Sequence, residues 1–166
     1  MAAFSIIGIC LFCLYVVITT WLFFIPESLS SSYYLWKTAK SPFRFFLIVT
    51  SLLLAAPMIA LGKESIWQFT GFLAPACLMF TGVAADFKNK ELIDRWVHPL
   101  CAVICAISSI VWICCIAEMP LFLLTSFIIC GIMALVTRTV KKSYIFWLEM
   151  SCFLSIFCCL IKIYYF

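Results

Sequence analysis

AFSIIGICLFCLYVVITTWLFF, residues 3–24, runs for 22 positions without a charged side chain. A helix rising 1.5 Å per residue covers about 33 Å over that length, enough to cross the ~30 Å hydrocarbon layer of a bilayer. Trp21, Phe23 and Phe24 close the run with aromatic rings suited to a membrane boundary, and Pro26 stops the helix. The run lacks the basic start, short apolar core and small-residue cut site of a cleaved leader, so it reads as a retained span.

Five more apolar stretches follow, at 43–61, 66–85, 100–117, 121–136 and 144–164. Cations collect in alternate gaps between them: Lys37, Lys40 and Arg44; then Lys88, Lys90 and Arg95; then Arg138, Lys141 and Lys142. The second gap holds only Lys63 and the fourth none, while Lys162 lies near the end of the last stretch. Short loops rich in Lys and Arg stay cytoplasmic, because moving those cations across the bilayer is unfavourable. The expectation is an all-α, six-transmembrane-helix bundle with both termini extracytoplasmic and residues 28–44, 87–98 and 137–143 in the cytoplasm.

The composition agrees with that class. Apolar residues make up 67% and charged residues 11%, against about 45–50% and about 25% in soluble domains. None of the gaps is long enough for a folded extramembrane domain, so residues 1–166 read as a single membrane domain. The net charge of +4 sits beside lipid headgroups and points to anionic lipid at the cytoplasmic face, not to nucleic acid.

Within the spans, Pro57 and Pro75 each remove a backbone donor and should bend their helices, with the hydroxyls of Thr50 and Ser51 available to freed carbonyls. Gly71, Ala74, Ala76, Gly82, Ala84 and Ala85 suit the third span to the crowded centre, packed antiparallel on the second. Ser28 or Ser30 could cap a short helix that lays Tyr33, Tyr34 and Trp36 at headgroup depth. Asp86, Lys90, Asp94 and His98 recur every four residues, with Glu91 four before Arg95, which predicts a paired surface helix ending at Pro99.

Glu149 is the leading candidate functional residue, since it lies about six residues inside the last span. Carboxylates at such depth face the bundle interior and find a partner; Arg138, Lys142, Arg95 and His98 are the cations on its side, with clustered hydroxyls as the alternative. His98, the only histidine, could join Asp86 and Asp94, but a catalytic zinc needs three protein ligands and no such motif is present. No metal or other cofactor is expected. Cys10-Leu11-Phe12-Cys13 is superficially similar to the Cys-x-x-Cys of membrane thiol oxidoreductases, yet no basic group nearby favours a thiolate, and buried cysteine is also a small apolar residue.

IPESLSSSYY (25–34) and GFLAPACLMFTG (71–82) resemble segments of small, uncharacterised multi-span membrane proteins of bacteria. The resemblance implies a bacterial inner membrane and no named activity. The residues therefore point to a non-enzymatic structural, accessory or partner-binding component, with a membrane protein or a second copy as partner. A small-solute or ion transporter using Glu149 is the alternative, and a thiol redox enzyme using Cys10 and Cys13 the third reading.

Overall fold

A computed structural model describes residues 1–35, 41–84 and 92–166, leaving aside the side chains at 41, 84 and 92–95. Among the described residues all regular structure is helical: α1 (Ala2–Phe23), α2 (Ser32–Leu35), α3 (Ser41–Leu61), α4 (Gln68–Ala84), α5 (Leu92–Cys115), α6 (Pro120–Val136) and α7 (Tyr144–Tyr165). Four of them, α1, α3, α5 and α7, are long and apolar enough to cross a membrane. Helices α4 and α6 are equally apolar in character but shorter, at 17 residues each.

The packing inverts the soluble pattern. Every buried polar residue among those described is Ser or Thr, including Ser5, Thr19, Thr50, Ser109, Ser151 and Ser155, while Ile, Leu, Val, Phe and Trp side chains crowd the exterior. Several of these hydroxyls are satisfied by their own helix, as when Thr81 donates to the Cys77 carbonyl (2.8 Å) and Ser155 to that of Ser151 (2.7 Å), whereas those of Thr19 and Thr50 have no hydrogen-bond partner among the described residues. Helix α1 shows the consequence for sequence reading. Its buried stripe, Ser5, Gly8, Phe12, Tyr15 and Thr19, follows helical three-and-four spacing, but it is set by small size, hydroxyls and aromatic rings. Phe12 meets Phe46, Phe153 and Phe157 at centroid distances of 5.5, 4.4 and 5.1 Å, and Tyr15 stacks on Phe46 at 4.1 Å. Those rings join α1 to α3 and α7.

Helix α4 packs between α3 and α5, whereas α6 rests mainly against α7. The small residues of α4 permit its close approach to α3: a Cβ at Gly71 would lie 2.8 Å from the Met58 carbonyl oxygen, and one at Gly82 3.0 Å from the Leu47 Cβ. Both prolines lie inside continuous helices. Ser51 donates to the Pro75 carbonyl, and the fully buried Trp112 of α5 donates its indole N–H to the Met58 carbonyl at 3.1 Å. These bonds staple three helices beside the prolines, although they do not go to Leu53 and Gly71, whose carbonyls the prolines release.

Two expectations are corrected. The chain after α1 does not lie on a surface: Tyr33 is 2% exposed and packs edge-on to Phe43, with ring centroids 5.9 Å apart. Tyr34 is partly exposed and Trp36 lies outside the described residues. Burial is possible because the turn's own serines and residues 143–149 together satisfy much of its backbone. Nor does Pro99 restart the helix; α5 runs through it from Leu92. The ring sits on an exposed side in the second turn, so its loss is confined to one bond near the helix start.

Candidate functional site

Ser28 and Ser31 cap each other reciprocally, each hydroxyl accepting the other's backbone N–H at 3.0 Å. The first N–H groups of a helical turn have no acceptor within it, and that of Leu29 is one that this exchange leaves over. Glu149, in the second turn of α7, takes it: Oε2 accepts the Leu29 N–H at 2.6 Å. Three further bonds fasten the same segment. The Phe146 N–H donates to the Glu27 carbonyl at 3.1 Å, and the Ser143 hydroxyl to the Ile25 carbonyl at 3.4 Å. Ser32 donates to the Leu29 carbonyl at 2.5 Å, so the Tyr15 phenol, 2.6 Å from the Ser32 hydroxyl, supplies the proton between those two. Residues 25–35 are thereby clasped between α1 and α7.

Glu149 thus faces the protein, but among the described residues its partner is a main-chain amide and neither a cation nor a hydroxyl cluster. The physical reason is economy of desolvation. An amide can be brought to a buried carboxyl without stripping a second full charge of water. His98 is engaged elsewhere, its Nδ1 lying 3.0 Å from the Thr81 carbonyl, which can only accept; Nδ1 therefore carries the proton and ties α5 to α4. Asp86, Lys90 and Glu91 lie outside the described residues, as do the side chains of Asp94 and Arg95, so the charged stripe can be placed only at His98. Among the described residues no three His, Cys, Asp or Glu side chains converge as metal ligands. Cys10 and Cys13 are exposed on α1 among Ile6, Ile7 and Leu14.

A cavity of about 160 Å³ lies between α3, α4, α5 and α7. Leu47, Leu54, Leu78 and Ile156 form much of its wall, Ala102 and Ala106 leave room along α5, and Glu149 is the one charged residue lining it among those described. Sequence reasoning did not find this space. The paired alanines four residues apart on α5 were its only local signal, and four helices must be assembled before they enclose anything. No protein-family model, curated protein or solved structure matches the chain.

Glu149→Ala is expected to destabilise the bundle by about 1–3 kcal/mol, because it strands the Leu29 N–H in an apolar setting. Glu149→Gln keeps an oxygen acceptor and should lie within about 1 kcal/mol of the parent. Unfolding midpoints in lipid nanodiscs would separate the two; equal losses would remove the clasp as a determinant of stability.

Proposed function

We propose that this chain is a six-span protein of the bacterial inner membrane that acts as a non-enzymatic accessory or partner-binding component. Supporting the six spans, the two shorter helices still cover about 25 Å each, the lower limit for crossing, and modest bilayer thinning accommodates the remainder. The alternating cation clusters favour extracytoplasmic termini and contact between the cytoplasmic loops and anionic headgroups.

The observation that favours a scaffold is the use of Glu149: its carboxylate fastens the 25–35 segment, and the adjoining cavity is walled almost wholly by apolar groups. An ion pathway would require a polar, wet lining. The thiol reading is weakened by the placement of Cys10 and Cys13 on an apolar exterior face. Chemical cross-linking in native membranes followed by purification should recover a defined membrane-protein partner or a second copy. Glu149-dependent ion flux in reconstituted liposomes, with no such partner, would overturn the reading in favour of transport.

The orientation has its own test. Single cysteines placed at Lys63 and Lys141 in a cysteine-free background should react with an impermeant maleimide only from the outside at 63 and only after permeabilisation at 141. The opposite labelling would reverse the topology.

A further inference from the structure

Glu149 Oε2 is taken by Leu29, but among the described residues Oε1 accepts no hydrogen bond. A carboxylate that lines an apolar cavity with half its acceptor capacity unused is matched by a ligand bringing a donor and a positive charge. The cavity provides for the rest of such a ligand. Its volume of about 160 Å³ is comparable with that of an engineered apolar cavity of about 150 Å³ that stays dry and takes benzene. It is also elongated: Glu149 and Ile156 both line it, seven residues apart on α7, or about 10 Å along the axis.

Access is lateral. Ile145 and Leu148 of α7 line the cavity yet are 41% and 48% exposed, and α5, which supplies Ala102 and Ala106 to the lining, touches α7 only lightly. In a membrane those exposed side chains face lipid, so a ligand already dissolved in the bilayer can enter without crossing water.

We propose that this cavity is a binding site for a slender aliphatic amine, whose ammonium group pairs with Glu149 and whose alkyl chain extends between α3, α4, α5 and α7 toward Ile156. The site is separate from the partner-binding reading above and does not rest on it. Polar small molecules are disfavoured by the lining, and bulky branched lipids by the volume of about 160 Å³. A neutral alcohol of equal chain length fills the same space without the charge pair and binds more weakly.

The test uses the full chain in phosphatidylcholine nanodiscs, with n-octylamine and n-octanol as probes and the thermal unfolding midpoint as readout. Octylamine should raise the midpoint saturably, with an apparent affinity at least tenfold above that of octanol. Glu149→Gln should erase that preference while leaving the octanol response, and Ala106→Phe, which fills the cavity, should abolish both. Ala102→Leu serves as a second filling variant if Ala106→Phe does not elute as a folded species on size exclusion. Equal responses in the parent and the filled variants would mean partition into the bilayer alone and would overturn the site. Persistence of the amine preference in Glu149→Gln would overturn the role given to the carboxylate.

Discussion

Trp112→Ala is expected to cost about 3–5 kcal/mol, the range for truncating a large buried aromatic, and to give the largest loss of any single truncation in the bundle. The side chain is fully buried and is the largest such group in the core. Its removal leaves a void that helix backbones cannot close, and it strands no donor but deletes the bond to the Met58 carbonyl. Trp112→Phe separates the two contributions: it keeps most of the ring contact and loses the N–H, so its cost should fall near the 0.5–1.5 kcal/mol typical of one hydrogen bond. Denaturation in mixed micelles, read by tryptophan fluorescence or circular dichroism, would measure both. A Trp112→Ala variant with an unchanged midpoint would refute the assignment of this residue as the staple between α3 and α5.

Gly71→Val is expected to abolish recovery of folded protein. The added Cβ alone would stand 2.8 Å from the Met58 carbonyl oxygen and 3.0 Å from its carbon, and a backbone group cannot swing aside as a side-chain tip can. The helices must separate, which disturbs the Trp112 bond to the same carbonyl and the Ser51 bond to Pro75. Overpacking usually costs about 1–3 kcal/mol; here backbone contact and two bonds are coupled, so the upper end or beyond is expected. Gly131→Ala is the control, since nothing lies within 4 Å of its would-be Cβ and alanine has the higher helix propensity. That variant should be neutral or slightly stabilised. Monodisperse elution after detergent extraction distinguishes the two, and a well-behaved Gly71→Val protein would contradict the close α3–α4 approach.

Most helix positions were legible because the signal for them is local, the exception being α5, which begins at Leu92 and runs through Pro99. The stretch 3–24 became Ala2–Phe23, 121–136 became Pro120–Val136, and 144–164 became Tyr144–Tyr165, each within a residue or two. The small face of α4 was legible for the same reason, since Gly71 and Gly82 need no partner to be recognised as small. What each helix touches was not. The inward stripe of α1 is less apolar than its outer face, so hydrophobic periodicity, which reports burial against water, has no purchase where the surroundings are lipid. Glu149 was recognisable as inward-facing from its depth, but its donor lies 120 residues away, and a backbone amide carries no side-chain signature. Tyr33 was misplaced because aromatic residues beside a span usually mark an interface, whereas here self-capping serines and residues 143–149 let the turn enter the interior.

The long separation between Leu29 and Glu149 has a consequence for biogenesis. The turn at 25–35 is synthesised immediately after the first helix, yet three of its fastenings, to Ser143, Phe146 and Glu149, are supplied by the last. A nascent chain must therefore carry this segment without those three fastenings through the insertion of the intervening helices, held by earlier contacts such as the Tyr15–Ser32 bond and the packing of Tyr33 on Phe43. Arrival of the seventh helix closes the clasp by bringing an early and a much later part of the chain together. Cells that sample the exposure of that turn would in effect be asking whether the seventh helix had been made.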